Sequence, residues 1–171
     1  MGTFVELAKE GIITEEMNAV AQKEGVEAES IRQGVALGQI IIPSNPHHRS
    51  VPTGIGKGMW TKINASVGTS PDICDIDEEV AKALAAQECG ADTLMELSVG
   101  GDLDRVRREI LAAVELPVGN VPLYQAFCEA ARKYGDPNKL DAEMLFDIVE
   151  RQCVDGISFM AIHCGINLYT L

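Results

Sequence analysis

The sequence predicts an α/β protein in which a mostly helical lead, residues 1–52, precedes about half of a (β/α)8 TIM-type barrel, residues 53–171. After residue 53, four short apolar segments alternate with helical ones, which is typical of parallel βαβ units with right-handed crossovers. A closed barrel needs eight strands and roughly 250 residues, whereas this chain has 171. The Pro- and Gly-rich stretch 43–58 separates the two parts.

Helices are expected to dominate the lead. Thr14 precedes two glutamates and then an apolar pattern, which indicates an N-cap followed by a first turn that favours acids. A second helix is predicted to start near Glu29. Residues 39–42 favour a short strand that Pro43 ends, because proline lacks the backbone donor that a strand needs.

The repeating part contains four predicted parallel strands, each followed or preceded by helices. The predicted strands are 62–68, 93–97, 117–122 and 157–162. The predicted helices run from Asp75 or Asp77 to Gly90, from Asp102 to about Val114, from about Tyr124 to Tyr134, and from about Asp141 to Cys153. The carboxyl ends of such strands are where parallel α/β folds bind ligands. Polar residues expected there are Asn64, Ser66, Glu96, Ser98, Asn120, Tyr124 and His163.

Composition excludes several classes of partner. The formal net charge is −12, and nucleic-acid binders and anionic-membrane binders instead carry basic patches. The chain has no apolar run of about eighteen residues and no secretory signal pattern at its start. We therefore expect a cytoplasmic protein that binds neither nucleic acid nor membranes.

The five cysteines show no C-x-x-C pair, so a zinc or cluster site within this chain is not expected. A cytoplasmic location instead favours reduced, mostly buried thiols.

Several motifs and single residues allow more than one interpretation. Segment 54–58, GIGKG, resembles a phosphate cradle but lacks the spacing of known phosphate loops, which favours a simple flexible loop. His47 and His48 are adjacent and favour a hydrogen-bonded loop pair over a metal site. His163 follows an apolar strand, and its chemistry fits a substrate donor, a general acid/base or a buried structural histidine. On residue chemistry alone, Met95 fits a core position and Tyr124 fits a position at the start of a helix.

Seven segments in order resemble the phosphomethylpyrimidine synthase family of thiamine biosynthesis. They are GIITEEM, ESIRQGVALGQIIIPSN, GIGKG, KINASVGTSPD, GADTLMELSVGGDLDRVRREIL, PVGNVPLYQA and DGISFMAIHCGI. The resemblance covers nearly the whole chain, although members of that family are more than twice as long.

The resemblance implies a radical S-adenosylmethionine lyase that converts aminoimidazole ribotide to hydroxymethylpyrimidine phosphate. It implies a homodimeric (β/α)8 enzyme that carries a [4Fe–4S] cluster on a C-terminal cysteine motif and a zinc-type metal. The cluster cysteines and metal ligands are not found in this chain, so it is expected to hold no metal and to be catalytically incomplete by itself. No residue here is assigned as catalytic.

Four substrate contacts follow from the resemblance: Ser66, Met95, Tyr124 and His163. The family has asparagine where this chain has Ser66, and serine offers one hydroxyl in place of an amide. That contact is therefore expected to be weakened or rebuilt.

Two alternatives to an enzyme fragment remain open. The chain could be a non-enzymatic half-barrel that binds a ribotide or assembles with a partner, either another copy of itself or a missing C-terminal half. It could also be a different enzyme that uses His163 with Glu96 or Glu143 as acid and base.

Overall fold

The computed structural model describes residues 2–165 and 168–170. The helices are α1 (Phe4–Lys9), α2 (Glu15–Glu24), α3 (Ala28–Ala36), α4 (Ile76–Glu88), α5 (Leu103–Ala113), α6 (Pro122–Tyr134) and α7 (Ala142–Asp155). The strands are β1 (Ile40–Ile41), β2 (Ile55–Gly56), β3 (Asn64–Val67), β4 (Thr93–Glu96), β5 (Val118–Asn120) and β6 (Phe159–Met160).

Strands β3 to β6 form one parallel sheet in chain order, which is the arrangement of consecutive strands in a (β/α)8 barrel. One face of this sheet is apolar and packs on helices α4 and α5. Its core includes Val67, Leu94 and Val118 from the strands and Val106 and Ile110 from α5. The predicted α/β class with four parallel strands is confirmed.

The first three helices form a second apolar core. Met17 and Val20 of α2 pack with Ile31 and Val35 of α3, and Ile40 of β1 joins them. Strand β1 pairs antiparallel with β2, so part of the glycine-rich segment 54–58 is a strand that lies against the lead. The predicted division after residue 52 stays a prediction.

Side chains of the lead bind the sheet at its amino-terminal edge. Glu24 of α2 accepts hydrogen bonds from Lys62 Nζ at 2.7 Å and from the Trp60 amide at 2.8 Å, just before β3 begins. Lys23 donates to Asp92, which also accepts from the Ile63 amide. These bonds position α2 beneath the starts of β3 and β4.

The connection between the lead and β3 also runs along this edge. Asn45 donates to the carbonyls of Cys153 and Ile157 at 2.7 and 2.8 Å. His48 is buried and its Nε2 lies 3.0 Å from the Val114 carbonyl. The histidine pair is therefore part of a hydrogen-bonded loop, as predicted, and it leaves the carboxyl edge of the sheet free.

Helix starts agree closely with the sequence. Thr14, Asp75, Asp102 and Asp141 each cap a helix by accepting from a backbone amide three residues later.

The cysteines do not follow the prediction: Cys74, Cys89, Cys153 and Cys164 are exposed and Cys128 is half-buried. The expectation of mostly buried thiols is therefore wrong. Among the described residues, no helix has both the length and the apolarity needed to cross a membrane.

Candidate functional site

The inner face of the half-barrel carries a transverse row of four residues, one from each strand. Ser66 of β3 is in register with Met95 of β4, Met95 with Gly119 of β5, and Gly119 with Phe159 of β6. Register partners in a parallel sheet point to the same face. Because Val67 packs in the helix-side core, this row lies on the opposite face. We call these four residues the inner row.

Two of the four predicted substrate contacts are members of the inner row. Ser66 is exposed, so its hydroxyl is free to meet a ligand. Met95 is only 8% exposed and supplies an apolar thioether next to that hydroxyl. The structure therefore places the Ser66 hydroxyl and the apolar Met95 thioether next to each other on adjacent strands.

Tyr124 and His163 lie at the carboxyl edge of the same sheet. Helix α6 begins at Pro122, immediately after β5, and places Tyr124 in its first turn. His163 follows the end of β6, and its ring stacks on that of Tyr124 with centroids 6.0 Å apart and 30° between the planes. Both side chains are exposed. The stacked pair can therefore present a phenolic hydroxyl and an imidazole to one ligand.

Gly119 and Phe159 complete the inner row, and the sequence did not single them out. A Cβ added at Gly119 would lie less than 3.0 Å from three atoms of the Phe159 ring. The ring therefore lies directly over the backbone of Gly119. The signal that could have found this contact was the alignment of GN in one predicted strand with FM in the next.

Of the residues expected at the carboxyl edge, Asn64 lies at the opposite end of its strand, and Glu96 ends β4 as expected but faces the helices. Asn64 is the first residue of β3 and accepts a hydrogen bond from Thr93 Oγ1 at 2.9 Å, so it belongs to the amino end. Glu96 is buried on the helix-side face, because it is in register with Val67. Its Oε1 accepts from the Ser98 amide at 2.7 Å.

Burial raises the pKa of Glu96, and hydrogen bonds from Ser98 and the charge of Arg107 only partly oppose it. Asn120 is its register partner on β5. The side-chain oxygen and nitrogen of Asn120 are buried and have no hydrogen-bond partner among the described residues. Neither side chain can reach a ligand on the inner face, so an acid/base role for Glu96 there is not supported.

The described residues offer no ligand set for a cluster or metal. No group of three or more His, Cys, Asp or Glu side chains among them could hold a metal ion. The turn at residues 100–102 caps α5, since Asp102 accepts a hydrogen bond from the Arg105 amide at 3.1 Å. Ser66, Met95, Tyr124 and His163 stay predicted binding residues, and the structure places them on the inner face and at the carboxyl edge of one sheet.

Comparison with known proteins agrees with the sequence motifs. A family model described as the radical SAM ThiC family matches residues 3–171. A 5-hydroxybenzimidazole synthase from Geobacter metallireducens is 68% identical over all 171 residues, which cover 39% of its length. A protein of the same name from Desulfuromonas acetoxidans is 64% identical over the same span.

Phosphomethylpyrimidine synthase 2 of Methanosarcina acetivorans is also similar, at 53% identity over 99% of the chain and 40% of that relative. The chain thus spans about two fifths of the length of the curated relatives it matches.

Proposed function

We propose that this chain, which belongs to the radical SAM ThiC family, is the ribotide-binding part of an enzyme that makes 5-hydroxybenzimidazole. We choose this product because the sequence identity of the chain differs between two groups of relatives. Relatives named for that product are 62–68% identical to the chain, whereas phosphomethylpyrimidine synthases are 53% identical. The resemblance to the family supplies aminoimidazole ribotide as the substrate.

The inner row supports a product that differs from that of phosphomethylpyrimidine synthase. The pattern of that family has asparagine at the position of Ser66, and serine is shorter and lacks the amide. Ser66 is exposed beside Met95 on the inner face. A shorter side chain there widens the space beside the substrate and changes the hydrogen bonds that orient it.

Radical chemistry requires groups that this chain does not offer. The family implies S-adenosylmethionine and an iron–sulfur cluster, and a cluster is held by closely spaced cysteine thiolates. The five cysteines here are at least eleven residues apart in sequence. We therefore assign the cluster, any zinc-type metal and the lyase chemistry to the part of the relatives that this chain does not span, and we expect the chain alone to be inactive.

Phosphomethylpyrimidine synthase is the second candidate. It is favoured by the 53% identity to proteins of that name and by Met95, Tyr124 and His163, which match three contacts of that family. The two candidates share a substrate and differ in product, so one reaction mixture distinguishes them.

The test uses a completed enzyme. Residues 1–171 replace the matching segment of the Geobacter metallireducens relative, and the chimaera is reconstituted anaerobically with its cluster. It is then incubated with aminoimidazole ribotide, S-adenosylmethionine and a reductant, and products are identified by mass spectrometry. We expect 5-hydroxybenzimidazole as the main product.

A Ser66→Asn chimaera and the unmodified relative serve as the matched controls. The asparagine variant should lose most of the 5-hydroxybenzimidazole activity, whereas the unmodified relative should keep it. Formation of hydroxymethylpyrimidine phosphate by the unsubstituted chimaera would replace the proposal with the second candidate. Absence of both products, while the unmodified relative is active, would contradict both candidates.

A further inference from the structure

The inner row contains two residues to which the family resemblance assigns no role. Gly119 and Phe159 occupy the same level of the sheet as Ser66 and Met95, one strand and two strands further along. Neighbouring strands lie about 4.8 Å apart, so residues two strands apart on one face are separated by about 10 Å. A ligand that touches Ser66 and Met95 therefore lies within reach of a side chain as large as Phe159.

Gly119 explains how the ring of Phe159 lies over β5, the strand between Phe159 and Met95. Any Cβ on residue 119 would overlap the ring, so the missing side chain leaves a gap in the inner row that the ring fills. Phe159 is only half-buried, and the rest of its ring faces the interior of the half-barrel. The row thus presents an aromatic ring over β5 and a thioether on the neighbouring strand β4.

The chemistry of the inner row fits the base of a ribotide better than its phosphate. Met95, Gly119 and Phe159 carry no charge and no strong hydrogen-bonding group, so a phosphate placed on them would lose its hydration without compensation. A heteroaromatic base is flat and polarisable, and it gains from offset or edge contact with an aromatic ring. Methionine sulfur also packs favourably against aromatic rings.

We propose that Phe159 forms the apolar floor on which the heteroaromatic base of the ribotide lies, and that Gly119 is required to hold its ring there. This inference rests on the proposed function, because it takes the substrate class from it. It adds a determinant of substrate binding that does not depend on which product the enzyme makes.

The test is calorimetric titration of the completed chimaera with aminoimidazole ribotide. Phe159→Leu should raise the dissociation constant about five- to tenfold, which corresponds to about 1.0–1.4 kcal/mol, the upper part of the range for an aromatic contact beyond burial. Phe159→Tyr keeps the ring and should stay within about twofold of the unsubstituted protein. Gly119→Ala should weaken binding as Phe159→Leu does, because it displaces the ring.

The matched control is Phe146→Leu, the same substitution at a residue that is 71% exposed on α7, and it should leave binding unchanged. Melting temperatures of the unliganded variants verify folding, and Phe159→Leu remains decisive if Gly119→Ala does not fold. An unchanged dissociation constant for folded Phe159→Leu would overturn the inference alone. Ribotide binding with a different product would overturn only the proposed product, whereas no binding by the unsubstituted chimaera would overturn both.

Discussion

Glu96 shows that two adjacent residues of one strand face opposite sides of the sheet. It follows Met95 of the inner row directly, yet alternation turns it to the opposite face, where Glu79 and Arg107 are its charged neighbours. Its carboxyl is held by the Ser98 amide, and burial raises its pKa. Glu96 therefore belongs to the support of the site and affects stability instead of chemistry.

The free energy of unfolding should depend on the ionisation of Glu96. The pKa of Glu96 is ordinary in the unfolded chain and raised in the folded chain. At any pH between these two pKa values, the folded state binds more protons than the unfolded state. The free energy of unfolding therefore falls as pH rises through this window. Glu96→Gln removes the charge at every pH, so the variant should gain stability relative to the unsubstituted chain as pH rises from 4 to 7.5. Urea denaturation at several pH values measures this difference.

Glu88→Gln is the control for the Glu96 prediction. Glu88 is exposed near the end of α4, so its substitution removes the same charge without changing a buried group. Its stability difference from the unsubstituted chain should vary little over the same pH range. A difference for Glu96→Gln that is equally flat would show that Glu96 ionises as freely in the folded chain as in the unfolded one.

At the scale of elements, Arg107 joins three helices behind the sheet. Its side chain is fully buried in α5 and donates to Asp104 of the same helix at 2.7 Å. It also donates to Gln125 of α6 at 2.8 Å and to Asp155 of α7 at 2.5 Å. Its neighbours Arg105 and Arg108 are instead exposed, so the basic cluster of α5 is divided between solvent and this buried junction.

Removing Arg107 should therefore destabilise the chain strongly. Arg107→Met leaves Asp155 and Asp104 without their buried partner, and breaking a buried ion pair costs about 3–5 kcal/mol. Arg108→Met is the matched control, because Arg108 is 57% exposed and lies 3.9 Å from Asp155. Exposed pairs contribute at most about 1 kcal/mol. Urea denaturation that gave both variants the same small loss would contradict a joining role for Arg107.

The buried pair Glu24–Lys62 makes a second link, between the lead and the sheet. Burial alone would raise the pKa of Glu24, but hydrogen bonds from Lys62 and the Trp60 amide outweigh it, and the pKa is lowered. Stability from ionised Glu24 is thus present above its unfolded pKa and is lost as pH falls through the lower folded value.

Glu24→Gln should consequently reduce the free energy of unfolding by about 1.5–3 kcal/mol at pH 7, the usual contribution of hydrogen bonds to a charged group. The reduction should shrink as the solution is acidified below pH 4. Glu27→Gln, at an exposed residue whose side chain makes no capping bond, should leave stability within about 0.5 kcal/mol. A pH-independent loss for Glu24→Gln would contradict the role of its charge.

The sequence predicted local features well and non-local ones poorly. Thr14 and Asp102 were identified as caps because capping depends on one side chain and an amide three residues away. The pairing of β1 with β2 was missed, because Gly56 joins Ile40 across sixteen positions that no local pattern connects. For the same reason, the contact of Phe159 with Gly119 required the register of two separate strands.

For the molecule as a whole, the open sheet is the dominant feature. Among the described residues, β3 pairs only with β4 and β6 only with β5, so each has one free edge. Large apolar side chains beside these edges are exposed, including Ile63 at 63% and Ile162 at 56%. Unpaired edges and apolar surface favour association with another chain.

We therefore predict that the isolated 171-residue chain self-associates through these edges. Sedimentation velocity should show a mass that rises with concentration above that of one chain of 18.4 kDa. The double variant Ile63→Lys with Ile162→Lys should reduce association, because charged residues on an edge oppose strand pairing. Leu37→Lys, at an equally exposed residue in the lead, should not. A single chain at every concentration would contradict this prediction.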